Sequence, residues 1–287
     1  MAEFQKVAVL GYGTMGGGIA QVVAQAGIEV VVLDADPERL AHGGRSVREF
    51  LEEGVTRGKV SPEQLENTLA RISTTTTVAE LSDCDLVIEA VTEQHDVKAR
   101  LFREVAEVVS QDTVIATNTS ALSVSGLAMS VPRPERFAGL HFFNPAQLMG
   151  VVEVVRAEQT EDAVIARLST FAREIGKEPL AVKDRPGFLI NWLLMPYLND
   201  VIQEFDNELA SAEDIDVALK LGLGYKLGPM ELLDMIGLDV HNHATRAAYD
   251  ATLDPAFAPP PLLQTMVAAN RLGRKTGIGF RTEESHA

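Results

Sequence analysis

The sequence predicts an α/β protein: a Rossmann-like doubly wound sheet followed by a smaller all-helical C-terminal domain. Three observations carry that expectation. Short β-branched runs alternate with helical patterns through the first half of the chain. A glycine-rich turn joins the first run to the first helical stripe. After about Lys183 no further β-branched run occurs and helical signals take over. The breaker-rich Asp184-Arg185-Pro186-Gly187 supplies the boundary, dividing the chain into residues 1–184 and 185–287.

The expected strands are Lys6–Leu10, Glu29–Leu33, Leu86–Ala90, Thr113–Thr117, Arg136–Leu140 and Val151–Val155. They are rich in Val and Ile and mostly unalternating, the pattern of strands covered on both faces of a parallel sheet. Ile19, Val22, Val23 and Ala26 share one helical face, and Val97, Leu101, Val105 and Val108 share another. Beyond the boundary, Phe188–Leu209 reads as a long helix with a kink at Pro196. Ser211-Ala212-Glu213-Asp214 has the form of a capping box before Ile215, Ala218 and Leu219. Gly228-Pro229 opens a further segment, Met230–Ile236, and Pro259-Pro260-Pro261 reads as a turn or rigid connector.

With 287 residues the chain can bury an ample core. Its net charge of −16 repels nucleic acid and anionic membranes, so neither is expected as a partner. The N-terminus lacks a basic stretch leading into an apolar signal core, and no apolar run approaches the ~20 residues of a membrane helix. The single cysteine, Cys84, cannot form an internal disulfide. A soluble, cytoplasmic protein is expected. A phosphate-bearing ligand would need local help from helix N-termini in so acidic a chain.

That help is present at the first turn. Val7-Ala8-Val9-Leu10 runs into Gly11-Tyr12-Gly13-Thr14-Met15-Gly16, and Ile19 begins the helical stripe. This is G-x-G-x-x-G in a strand-turn-helix setting: Gly11 for the tight turn, Gly13 for approach to a pyrophosphate, Gly16 for helix-strand packing. Asp34, eighteen residues after Gly16, ends the second strand, where a carboxylate accepts ribose hydroxyls and repels a 2′-phosphate. NAD is therefore expected rather than NADP. The fingerprint alone would also admit FAD, which the histidine chemistry disfavours.

His141 follows the fifth strand pattern, Arg136–Leu140, and so should lie at the carboxyl edge of the sheet where ligands bind. Glu153 interrupts Val151-Val152-Glu153-Val154-Val155, and a carboxylate there is costly to bury without a partner. An imidazole held by a carboxylate beside a nicotinamide site is suited to accepting a hydroxyl proton as hydride departs. Either residue alone would more often be structural; together they point to catalysis. Ser120, after the strand Thr113–Thr117, could bond a substrate oxygen or the nicotinamide, or serve as an ordinary N-cap. His42, His95, His241, His243 and His286 read as surface or helix residues, and His241-Asn242-His243 lacks metal-ligand spacing, so no metal is expected.

These residues resemble the L-3-hydroxyacyl-CoA dehydrogenase family, in its stand-alone 3-hydroxybutyryl-CoA form. The resemblance runs from Lys6 to about Phe280. It rests on the glycine loop, Val87-Ile88-Glu89-Ala90-Val91, Asn118-Thr119-Ser120, His141-Phe142-Phe143-Asn144-Pro145 and Pro186-Gly187-Phe188-Leu189-Ile190-Asn191. It continues through Glu213-Asp214-Ile215-Asp216, Gly228-Pro229-Met230-Glu231-Leu232 and Gly273-Arg274-Lys275-Thr276-Gly277. It implies His141 as base, Glu153 as its orienter, and Ser120 and Asn191 around the substrate oxygen. It also implies Glu93, Lys98, Ser120 and Asn144 as NAD contacts beside Gly11, Gly13, Thr14, Met15, Gly16 and Asp34, and a homodimer formed through the C-terminal helices.

The chain departs from the family's pattern in three places. Glu49, Glu52 and Glu53 stand where related chains carry lysines, Trp192 follows Asn191 in place of Arg, and Gly150 replaces a common Lys. A CoA thioester is the expected substrate. A carrier-protein thioester or free polar hydroxy acid is the alternative, and a non-catalytic NADH-binding protein is a third reading.

Overall fold

The computed structural model describes residues 2–281, and His286 lies outside them. Contacts divide the chain into two compact units, Met1–Asp184 and Arg185–Ala287. The first unit holds eight strands: β1 Lys6–Leu10, β2 Glu29–Leu33, β3 Ile72–Thr75, β4 Leu86–Glu89, β5 Val114–Thr117, β6 Phe137–Phe142, β7 Val151–Arg156 and β8 Glu178–Lys183. They form one sheet in the order β3-β2-β1-β4-β5-β6-β7-β8. The first six, read as 3-2-1-4-5-6, follow the doubly wound order, with its topological switch between β1 and β4.

Six helices accompany the sheet: α1 Thr14–Gln25, α2 Pro37–Thr56, α3 Pro62–Ala70, α4 His95–Ala106, α5 Val124–Ala128 and α6 Asp162–Glu174. Alternate strand residues Val7, Val9, Val30, Val32, Leu86 and Ile88 pack with Ile19 and Val23 of α1, Val47 and Leu51 of α2, and Leu168 and Phe171 of α6. The opposite face meets α4, where Phe102 stands edge-on to Phe137 at 4.9 Å. Coverage on both sides explains the unalternating apolar strands.

Two strands escape the sequence reading, β3 and β8, and both are sheet edges. Ile72-Ser73-Thr74-Thr75 is mostly polar, and Glu178–Lys183 contains Pro179 and a partly exposed face. Edge strands need less apolar surface and tolerate proline. Two further corrections concern the sheet's far half. β6 extends through Phe142, so His141 lies inside the strand instead of after it. β7 runs antiparallel to β6, so the sheet is mixed, and Glu153 sits between β6 and β8, away from any edge.

The second unit is helical: α7 Ile190–Asp206, α8 Ala212–Leu223, α9 Pro229–Ile236, α10 Leu238–Thr252 and α11 Pro261–Ala268. α7 carries Pro196 within it. Its Leu198 and Ile202 pack with Met230 and Leu233 of α9 and Leu263 and Met266 of α11. Ser211 caps α8 by accepting from Asp214 N–H, but the Asp214 carboxylate takes the Ser211 hydroxyl (2.7 Å). Asp216 of α8 accepts the N–H groups of Met230 and Glu231, capping α9 from a neighbouring helix. Pro261 begins α11, so the proline run ends as a helix start. Among the described residues no helix is long and apolar enough to cross a membrane.

Candidate active site

The glycine loop stands at the carboxyl end of β1. Gly11 adopts a left-handed backbone (φ +94°), and a Cβ on it would lie 2.9 Å from Ala90 O. At Gly16 a Cβ would fall 1.9 Å from Gly11 O, so packing of α1 on the loop demands glycine there. Gly13 is different: an added Cβ meets no protein atom within 4 Å. Packing within the protein does not require glycine there, and the position leaves the backbone open to close approach.

α1 begins at Thr14 with Gly13 as N-cap and no side chain capping it. Its first bond is Gly17 N–H to Gly13 O (2.8 Å), which leaves the N–H groups of Thr14, Met15 and Gly16 at the open helix end. Such an end attracts an anion. Gly11, Gly13, Thr14, Met15, Asp34 and Val91 border a cavity of about 1000 Å³ on this side of the sheet. Asp34 follows β2 directly, and each of its carboxylate oxygens accepts one backbone N–H, from Tyr12 and Asp36 (both 3.1 Å). Each oxygen keeps a lone pair for a ribose hydroxyl. These residues fit a dinucleotide: an uncapped helix end for the pyrophosphate, a Cβ-free approach, and an acceptor pair for the adenosine ribose.

His141 and Glu153 face each other directly across the antiparallel β6–β7 ladder. His141 Nδ1 lies 2.7 Å from Glu153 Oε2, and the carboxylate is fully buried. A proton on Nδ1 fits this contact, since an ionised carboxylate only accepts. Phe143 packs 4.6 Å from the imidazole, ring centre to ring centre. Asn118, at the end of β5, accepts the Phe142 N–H through Oδ1 (2.8 Å) and fixes the strand end just past His141.

Ser120 is exposed, and its N–H donates to Glu93 Oε1 (2.9 Å). Glu93 also takes the Thr119 hydroxyl and the Ala121 N–H. Burial works against its charge, but Lys98 and these donors outweigh it, so its carboxyl lies below the usual carboxylate range. Lys98 is buried and directs its ammonium to Glu89 (2.6 Å), Glu93 (3.1 Å) and Val91 O (3.4 Å). Three donors are thus directed to protein oxygens, and neither Lys98 nor Glu93 borders the cavity at the glycine loop. Asn144, exposed before the cis Pro145, lines a smaller pocket of about 360 Å³ with Gly13 and Thr14.

Asn191 belongs to the second unit, half-buried in the first turn of α7. The first unit itself brings together Ser120, Glu93 and Lys98, then His141 and Glu153, then the glycine loop with Asp34. Sequence reasoning gave no role to Glu89, Thr117 or Asn118. Glu89 carries the same signal that singled out Glu153, a carboxylate in an otherwise apolar strand.

Two family models cover this chain: the 3-hydroxyacyl-CoA dehydrogenase NAD binding domain over residues 6–185 and the C-terminal domain over residues 187–283. The hydroxyacyl-coenzyme A dehydrogenase of Sus scrofa mitochondria is 41% identical over 281 residues, covering 96% of this chain and 90% of that protein. A 3-hydroxybutyryl-CoA dehydrogenase of Mycobacterium tuberculosis is 40% identical, with 97% and 98% covered. The crystal structure of (S)-3-hydroxybutyryl-CoA dehydrogenase from Ralstonia eutropha superposes with a TM-score of 0.94 at 38% identity, covering 97% of this chain and 99% of that one. With both family domains matched in order along nearly its whole length, the chain belongs to the NAD-dependent 3-hydroxyacyl-CoA dehydrogenase family, oxidoreductases acting on a CH–OH group.

Proposed function

We propose that this chain oxidises a short-chain L-3-hydroxyacyl-CoA of the 3-hydroxybutyryl type to the 3-oxoacyl thioester, reversibly, with His141 as general base. The observation that carries the reading is the buried 2.7 Å contact between His141 Nδ1 and Glu153. Bound NAD supplies the hydride acceptor. Gly11, Gly13, Thr14, Met15 and Gly16 receive its pyrophosphate, and Asp34 its adenosine ribose. Glu93 and Asn144 contact the nicotinamide half, with Lys98 acting from behind Glu93. His141 Nε2 takes the proton of the C3 hydroxyl, and Glu153 balances the positive charge that this places on the ring. Ser120 and Asn191 bond the C3 oxygen.

A second reading, a carrier-protein thioester or free hydroxy acid, has its own support on α2. Glu49, Glu52 and Glu53 are exposed, Arg48 faces Glu52 and Glu66, and Arg57 pairs with Glu53. Arg48 and Arg57, cations on or beside this helix, are thus each opposed by carboxylates instead of standing free for a CoA phosphate. We also infer a homodimer through the C-terminal helices, since Val217 and Leu221, one turn apart on α8, are exposed, as is Leu223 near its end. A cytoplasmic location fits the lone buried thiol of Cys84.

One panel tests these readings: NADH absorbance with 3-hydroxybutyryl groups carried on CoA, on a carrier protein, or free. Turnover confined to the last two would overturn the CoA assignment. The same assay with NADP in place of NAD should give a kcat/KM lower by at least about tenfold, because Asp34 meets the 2′-phosphate with like charge. Equal ratios would remove Asp34 from its role.

A further inference from the structure

We propose that Glu89 is a positioning residue for the Ser120 hydroxyl, acting through Lys98 and Glu93. The inference rests on the reading above that places Ser120 at the reacting oxygen.

Glu89 closes β4 with no exposed surface, a place where a carboxylate without partners would be costly. It is fully engaged there. Oε1 accepts the Val91 N–H (2.7 Å) and a Lys98 ammonium proton (2.6 Å), and Oε2 accepts the Thr117 hydroxyl (2.6 Å). Lys98 then reaches Glu93 Oε2 at 3.1 Å. The other oxygen of Glu93 gathers the turn that carries Ser120: Thr119 Oγ1, Ser120 N and Ala121 N donate to it. Ser120 Oγ is the loosest member, 3.4 Å from the same oxygen, so it can turn to another acceptor. A continuous series of charge-assisted bonds thus begins inside the sheet and ends at an exposed hydroxyl.

The strand register ties this series to the histidine. Leu10, Glu89, Thr117, Gly139 and Val155 form one row across β1, β4, β5, β6 and β7. Alternation along β6 puts His141, two residues beyond Gly139, on the same face as Glu89 and Thr117. Glu153 joins that face as the direct partner of His141. The two buried carboxylates of β4 and β7 therefore serve one sheet face, Glu153 gripping the base and Glu89 gripping what grips Ser120. A buried ion pair adds little to stability over a well-packed apolar pair, whereas it fixes geometry between its partners. Its termination at an exposed serine is what a positioning role requires and a core-stabilising role does not.

The test is a double-mutant cycle on kcat between Glu89→Gln and Ser120→Ala, with melting temperature as control. Gln keeps the shape and its oxygen still accepts from Val91 and Lys98, while its amide donates to Thr117, so the change removes the charge with little loss of packing. Expected is a loss of about tenfold or more from Glu89→Gln in the otherwise intact protein and less than about threefold in the Ser120→Ala background. Equal losses in both backgrounds, or no loss from Glu89→Gln, overturn the proposal. If Glu89→Gln does not fold, Lys98→Met cuts the series at its next link, and additivity with Ser120→Ala overturns the proposal equally. A Ser120→Ala single variant with unchanged kcat instead removes Ser120 from the reaction, a failure of the underlying reading that the cycle separates from failure of the positioning role.

Discussion

His141 in the first unit and His241 in the second are buried almost equally, at 6% and 4% exposure, yet they are provided with opposite partners. His141 gives Nδ1–H to a carboxylate, Glu153. His241 gives Nε2–H to an amide, Asn199 Oδ1, at 3.0 Å. The amide is held in that orientation because its Nδ2 donates to Thr245 Oγ1 and the Ala256 carbonyl. Burial without a counter-charge pushes His241 down to about 4, so it stays neutral as a packing and hydrogen-bonding group. Burial beside a carboxylate leaves a place for the positive charge of a transferred proton. Burial alone therefore does not distinguish the two histidines; the charge of the partner does.

The largest test of the contrast removes each role at its source. His141→Ala should lower kcat by about 10²- to 10⁴-fold, the usual worth of a general base, with KM for NAD nearly unchanged. Glu153→Gln keeps the bond but not the charge and should lose about tenfold or more by the same logic. A parallel loss of cofactor binding in either variant would contradict the assigned roles. His241→Gln should leave kcat within about twofold, since the site draws nothing from it.

Stability against pH comes next. The folded value of His241 near 4 lies below its ordinary 6.5, so between those values the unfolded chain binds more protons than the folded one. Stability should fall as pH drops from about 6.5 to about 4, by about 3 kcal/mol from this group when the drop is complete. Denaturant titration of wild type and His241→Gln across that window checks it. The variant's curve should be flatter, and an identical slope would show that other groups set the acid limit.

The smallest effect converts one histidine toward the other. Asn199→Asp gives His241 a carboxylate partner, and its titration midpoint should rise by about one unit or more, read from imidazole proton shifts. A midpoint still near 4 would mean that burial outweighs the partner's charge, and the contrast with His141 would need another basis.

Much of this was legible beforehand because the informative residues violate their surroundings. Glu153 in a run of valines and Gly13 in a turn have no packing reason to be there. Glu89 broke the same rule and went unread, because nothing nearby in sequence names its partner: Lys98 is one helix turn into α4, and Thr117 is on another strand. β3 and β8 went unread for the opposite reason, since an edge strand has little apolar surface to announce it. The strand end at Phe142 and the reversed direction of β7 depend on pairing, which no single segment encodes.

The antiparallel joining of β6 to β7 has a consequence for how such a site could be reshaped. Because the ladder holds residues 141 and 153 opposite one another, the connection from Phe143 to Gly150 does not set their distance. Outside Asn144 and the buried Ala146, that stretch could therefore vary in sequence while His141 and Glu153 stay paired.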